Sequence, residues 1–378
     1  MGSKRAMLQG GLDKTIAGSL DGKGRFFDLF TGSGSVACHV AERFPVEVIA
    51  TDLQEYAAVL ARSVIGRVAP LSFDDWAPSW IAAAIARAER QAEAVKAASL
   101  QNRFDLAKLP DQAARARKLA SASASDFVRA YGGWYFSPWQ ALLLDALRQE
   151  ADPTADWYDV AVGAVIQTAS RCAASPGHTA QPFKAETGAA PFLLESWRKD
   201  IIAQVTVSAS ALCGRHAKRA GRGYSADAND VVTTMREGDV AFIDPPYSSV
   251  HYSRFYHVLE SLARGTVGDV SGMGRYPTSD ERPSSDYSIP TRAEDALSQL
   301  LARLADVGAT AIVTFPAGEA SNRLSGVRIQ ELAQPKFYVE AERFLSRFST
   351  LGGDQKHRTA RQEAEEMILT LRPREFVR

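Results

Sequence analysis

The chain has 378 residues, 46% of them hydrophobic, and carries 44 basic and 44 acidic side chains for a formal net charge of zero. That length supports a substantial core and points to two or three domains. The balanced charge excludes a global attraction to nucleic acid or anionic membrane, so any such partner has to be met by local patches.

In chain order, RFFDLF reads as a short apolar strand, SVACHVAERF as a helix, EVIATD as a second strand and LQEYAAVLARSVIG as a second helix. This spacing fits a right-handed βαβ crossover and a parallel sheet, over residues 1–70. Residues 71–222 have a different texture. WIAAAIARAERQAEAVKAAS is Ala-rich with interleaved charge and reads as helical. SPWQALLLDALRQE places Ser137 as a helix cap with Pro138 in the first helical position. DWYDVAVGAVIQTASRCAA and FLLESWRKDIIAQVTVSASAL continue the helical pattern. The aromatics of YGGWYFSPWQ read as core. From residue 223 to 378 the α/β texture returns, with strands DVAFID and ATAIVTF, the helix EDALSQLLARLADV and a terminal pair of strands. The expected architecture is one α/β sheet built from both ends of the chain, with a helical domain inserted between them.

Cys38, Cys172 and Cys213 stand far apart, without CxxC or Cys/His ligand spacing. They read as reduced thiols in a cytoplasmic protein, and no metal is expected. The N-terminus has no apolar core region of a signal peptide, nothing approaches a membrane span, and Ala6 breaks the myristoylation pattern.

Two motifs carry chemistry. DLFTGSGSVA follows a strand and opens a helix. Gly32 and Gly34 let the backbone turn tightly and approach a ligand, and Asp52, twenty positions after Gly32, ends the next strand where a carboxylate accepts both ribose hydroxyls. Gly32-x-Gly34-x-x-Ala37 with Asp52 also satisfies the relaxed dinucleotide fingerprint, so an NAD-dependent oxidoreductase and an S-adenosylmethionine enzyme both remain open on this motif alone. The second motif is FIDPPYSSVHYSRFY. Asp244 ends a strand at the edge where ligands sit in an open α/β sheet. Pro245 and Pro246 have no N–H to donate, so the Asp244 carboxylate and the Pro245 carbonyl form a pair of acceptors, with the Tyr247 ring beside them. This set suits a planar exocyclic amine stacked on Tyr247, with both amine protons accepted from one side so that its lone pair is freed for attack on a methyl group.

FDLFTGSGSVA followed by an insertion and then FIDPPY resembles the alpha group of DNA amino-methyltransferases, the Dam-like adenine N6-methyltransferases, over both α/β portions. The resemblance implies a Rossmann-like class I methyltransferase sheet, S-adenosyl-L-methionine as cofactor and adenine in duplex DNA as substrate. It assigns Phe30, Gly32, Ser33 and Gly34 to the methionine part of the cofactor and Asp52 to its ribose. Asp227 in GYSADANDV is assigned to the adenine, and Lys4, after Ser3, to the motif that approaches the cofactor from the other side. Asp244, Pro245, Pro246 and Tyr247 match the catalytic tetrapeptide.

A base in a duplex has to be flipped to reach such a pocket. Tyr252 and Arg254 suit a flipped base and its flanking phosphates. The basic run with Arg215, Lys218, Arg219 and Arg222 reads equally as a phosphate clamp or a solvated surface. Arg358, in the hairpin between the last strands, reaches the backbone in the same way. The helical middle is the expected target-recognition domain. The resemblance favours a monomer and admits a restriction endonuclease or phage-defence partner. RNA adenine methylation is the nearest rival. The oxidoreductase leaves the Asp-Pro-Pro-Tyr stretch unexplained. A cytosine C5-methylating enzyme needs a nucleophilic cysteine, and the chain has no Pro-Cys.

Overall fold

The computed structural model describes residues 4–20, 24–348 and 362–374. The strands in chain order are β1 (Phe26–Asp28), β2 (Val48–Asp52), β3 (Arg222–Ser225), β4 (Val240–Ile243), β5 (Val270–Ser271), β6 (Tyr276–Pro277), β7 (Thr310–Pro316), β8 (Phe337–Phe348) and β9 (Gln362–Pro373). The chain divides into two compact units. One comprises Gly2–Leu53, Ala217–His251 and Ser284–Arg378, and the other essentially Gln54–His216 and Tyr252–Pro283.

The first unit holds a seven-stranded sheet in the order β3-β2-β1-β4-β7-β9-β8. Neighbours from β3 to β7 pair in parallel, whereas β9 runs antiparallel between β7 and β8. This mixed α/β sheet is consistent with a class I methyltransferase. The central strands are short and apolar because both faces are covered: Val240, Ala241, Phe242 and Ile243 are all buried. One face packs the helix Ala293–Val307 through Leu297, Leu300, Leu301 and Leu304 onto Phe27, Ala241, Val313 and Leu369. That helix stops at Gly308, which takes the left-handed conformation that only a residue without Cβ adopts cheaply.

The second unit is helical apart from the short β5–β6 hairpin and an isolated bridge. The helix Pro138–Gln149 begins as expected: Ser137 Oγ accepts from Gln140 N, and Gln140 Oε1 accepts from Ser137 N at 3.0 Å. Tyr131, Tyr135 and Phe136 of the aromatic stretch are fully buried.

Two stretches expected to be helical each hold two helices. The Ala-rich segment forms Phe73–Glu89 and Ala94–Gln101, with the break at residues 90–93, where no glycine or proline marks it. The FLLESW segment ends at Trp197 and a new helix runs Ile201–Cys213. Asp200 starts it, because its carboxylate accepts from the backbone N–H of Ile202 and Ala203 at 2.8 and 3.1 Å. Residues 271–291 contain the second strand of the β5–β6 hairpin. Among the described residues no helix is long and apolar enough to cross a membrane. The three cysteines are buried and unbridged.

Candidate active site

The site lies at the carboxyl ends of β1, β2 and β4, within the sheet unit. Parallel pairing of β1 with both neighbours, in register at Asp28–Ala50 and Asp28–Phe242, brings the glycine loop, Asp52 and Asp244 to one edge. The loop after β1 is pinned by Leu29 N–H donating to Phe242 O and Thr31 N–H donating to Thr51 O. Gly32 and Gly34 have φ of +52° and +73°, where a side chain is strained. A Cβ added at Gly32 would meet only Phe30 O, at 3.9 Å, so the loop's outer face is open to a ligand. Gly34 then caps the helix Ser35–Arg43. The Phe30 ring packs edge-on against Tyr287 with 4.9 Å between centroids, and Ser33 Oγ lies 3.2 Å from Ser35 Oγ.

Asp52 is in part a structural residue. Its Oδ2 accepts from Gly32 N–H at 2.9 Å, so the carboxylate closes the glycine loop. Asp227 is likewise a helix cap, accepting from Asn229 N–H at 2.8 Å. The neighbouring Asn229 is locked by Tyr287 and by the Ala296 carbonyl.

Asp244 follows β4 and is held by two groups. Lys4 Nζ lies 3.0 Å from its Oδ1, and Thr314 Oγ1 on β7 donates to the same oxygen at 3.0 Å. Lys4 also reaches Glu366 Oε2 on β9 at 3.3 Å. Burial alone would lower the Lys4 pKa, but the Asp244 and Glu366 charges together hold it above its ordinary value. Glu366, only 2% exposed, is pushed up by burial, with the Asp244 charge adding to the effect against Lys4. The Asp-Pro-Pro-Tyr turn is fastened at Pro246, whose carbonyl accepts from Asn322 Nδ2 at 2.7 Å. Asn322 is buried and also donates to Tyr287 O. Tyr247 stands edge-on to Phe315, with 6.1 Å between centroids.

Asp28, the last residue of β1, was not singled out from sequence, although it opens the glycine motif. It is 1% exposed. Its Oδ2 accepts from Ala37 N–H at 3.1 Å, while its Oδ1 is buried without a protein partner. Burial, reinforced by the Asp244 and Asp52 charges, raises its pKa to about 8. Thr314, Glu366 and Asn322 were also missed. Each lies 70 or more positions from its partner in the site, so no local pattern exposes it.

The expected DNA-contacting residues are more dispersed. Tyr252 and Arg254 belong to the helical unit, where Arg254 stacks 4.7 Å above the Tyr276 ring of the β5–β6 hairpin. The basic run is divided: Arg215 belongs to the helical unit, and Lys218, Arg219 and Arg222 to the sheet unit. Lys218 N–H donates to Ala41 O, and the exposed Arg222 pairs with Glu47 at 2.7 Å. Arg358 lies outside the described residues. Among the described residues no group of acidic, histidine or cysteine side chains is arranged to hold a metal ion.

The glycine loop, Asp52 and the held Asp244 thus share one strand edge. Residues 1–102 match the D12 class N6 adenine-specific DNA methyltransferase family. The matched stretch, 102 of 378 residues, includes Lys4, the glycine loop and Asp52 and ends before Asp244. The chain is also similar to modification methylase LlaI of Lactococcus lactis subsp. lactis, 36% identical over 84 residues. That similarity covers 21% of this chain and 13% of the relative's length.

Proposed function

We propose that the protein is a site-specific DNA adenine N6-methyltransferase that uses S-adenosyl-L-methionine. The observation that carries this reading is Asp244, held by Lys4 and Thr314 through one oxygen beside the open glycine loop. Proline residues cannot donate there, so the turn presents acceptors to a planar amine. The match of residues 1–102 to the D12 class supports the same chemistry.

The cofactor fits these residues on two grounds. The glycine loop leaves space outside its backbone, and the buried Asp28 Oδ1 is an acceptor without a protein partner. When bound, the cofactor supplies an electrophilic methyl group. Gly32, Ser33 and Gly34 cradle its methionine part, Asp28 accepts from its ammonium, Asp52 from its ribose, and Asp227 marks the adenine end. Asp244 and the Pro245 carbonyl accept hydrogen bonds from the two N–H groups of the target amine, draw the nitrogen toward tetrahedral geometry and direct its lone pair. Tyr247 stacks on the extruded base. The helical unit is a domain inserted into the methyltransferase sheet for target recognition, and Tyr252, Arg254 and the basic residues meet the DNA backbone. A modification role is consistent with the name of the LlaI relative.

The test is to express the chain in cells lacking adenine methylation, digest their DNA and RNA separately to nucleosides, and measure N6-methylated adenine in each, with Asp244→Ala as control. Methylated deoxyadenosine in one sequence context, absent from the control, is expected. Methylation confined to RNA moves the substrate to the rival class. Methylation of neither, with NAD bound in calorimetry, overturns the reading.

A further inference from the structure

The Lys4 ammonium stands between two carboxylates that serve different ends. Asp244, at the close of β4, is 19% exposed and faces the site, whereas Glu366, on the antiparallel strand β9, is 2% exposed. A buried carboxylate on a central strand is costly unless it is paired. The Lys4 contact is what compensates Glu366, and the same ammonium grips Asp244. Among the described residues, the donors that reach Asp244, Lys4 Nζ and Thr314 Oγ1, converge on Oδ1. That convergence fixes the rotation of the carboxylate and leaves Oδ2 to meet the substrate. Asp28, at the same strand edge, feels the Asp244 charge, and the Asp52 charge acts on Asp28.

We propose that Glu366 is a positioning residue that acts through Lys4: it draws the ammonium to the Oδ1 side of Asp244, so that Oδ2 is presented to the target amine and the site keeps a net negative charge. The inference rests on the methyltransferase reading above. With Asp244 and Glu366 ionised around one ammonium, the cluster carries one surplus negative charge. That surplus favours the positive charge that builds on the amine nitrogen as it is alkylated. Without Glu366 the pair is neutral and Lys4 is free to swing onto Oδ2, where it competes with the amine. Glu366 touches neither substrate nor cofactor, so its removal slows turnover without weakening DNA binding.

A double-mutant cycle on the full chain tests this, with a duplex carrying the methylated context as substrate. Glu366→Gln keeps an acceptor for Lys4 while removing the charge, and is expected to lower kcat about tenfold with KM within about twofold. Lys4→Met is expected to lower kcat about a hundredfold. The double variant, which removes the buried Glu366 charge along with the ammonium, is expected to match Lys4→Met alone, because Glu366 has nothing left to act through. Losses that multiply in the double variant, or a wild-type kcat in Glu366→Gln, overturn the proposal. A second readout does not depend on catalysis. In protein carrying [ε-13C]lysine, the Lys4 resonance, assigned by its absence from Lys4→Met, should titrate about one pH unit lower in Glu366→Gln than in wild type. Identical titrations overturn the proposal even if the chain methylates nothing, whereas a lowered titration in a chain inactive on DNA fails the methyltransferase reading and leaves the coupling standing.

Discussion

The two units each bury a polar network, and the two networks are opposite in kind. In the sheet unit the network is charged: Lys4 bridges Asp244 and Glu366, and Asp28 lies close enough to feel Asp244 and Asp52. In the helical unit the web around His257 is neutral. Tyr131 Oη lies 3.0 Å from Ser261 Oγ and 3.3 Å from His257 Nδ1, while His257 Nε2 lies 2.8 Å from Thr179 O. Tyr135 donates to Thr179 O and Gly274 O. Burial lowers the His257 pKa to about 3, so the ring is neutral at any physiological pH. A neutral web fixes packing because every partner has a counterpart and no charge needs compensation. A charged web with an unpartnered oxygen costs stability, and it is retained where that oxygen has a ligand to meet.

The sharpest break of this comparison is Asp244→Ala. We expect methyl transfer to fall by about a thousandfold or more, measured as tritium transfer to DNA, with the unfolding midpoint close to wild type. Removing a charge from the helical unit's web is impossible because it holds none, so the matching change there is His257→Leu. It leaves the Thr179 carbonyl without its ring donor. We expect a loss of about 2 kcal/mol in denaturant unfolding, with residual kcat/KM per folded molecule near wild type.

The pH dependences should have opposite signs. The folded-state pKa of His257 is depressed below its ordinary 6.5, so the unfolded chain binds more protons between about 3 and 6.5. Its contribution to stability is complete above pH 6.5 and is lost as pH falls. Asp28 has a folded-state pKa raised from 3.8 to about 8, so the folded chain binds the extra proton. Its contribution is complete below pH 4 and is lost as pH rises toward 8. Asp28→Asn should therefore raise the unfolding midpoint at pH 8 by about 3 °C, with the gain vanishing near pH 4. Differential scanning calorimetry at the two pH values measures it. The same residue sharpens the cofactor side. An ionised Asp28 accepts from an ammonium and a protonated one does not, so S-adenosylhomocysteine should bind about tenfold more tightly at pH 8 than at pH 6.5 by calorimetry. In Asp28→Asn that difference should shrink to about twofold or less.

The strands and most helices were legible because their signals are local. FFD and VAFI are short apolar runs next to turn chemistry, and Ser137 with Pro138 announces a helix start. The glycine loop and Asp244 were legible for the same reason, each being contiguous. The break at residues 90–93 was not, since Ala-rich sequence carries no stop signal there and packing against other helices decides where a helix ends. Asp52 was read as a ligand group from its place at a strand end, and Asp227 from the resemblance of GYSADANDV. Their hydrogen bonds to Gly32 and Asn229 show that each holds backbone in place.

By itself, the sequence determined the α/β character of both ends, the helical middle, and the kind of chemistry that a glycine loop with Asp-Pro-Pro-Tyr supports, because each depends on residues adjacent in the chain. Only the tertiary structure decided how Asp244 is held. Lys4, Asp244, Thr314 and Glu366 come together because β9 inserts beside β7 and the N-terminal segment reaches across the sheet edge. Electrostatic coupling depends on distance in space, and 362 residues of chain separate Lys4 from Glu366.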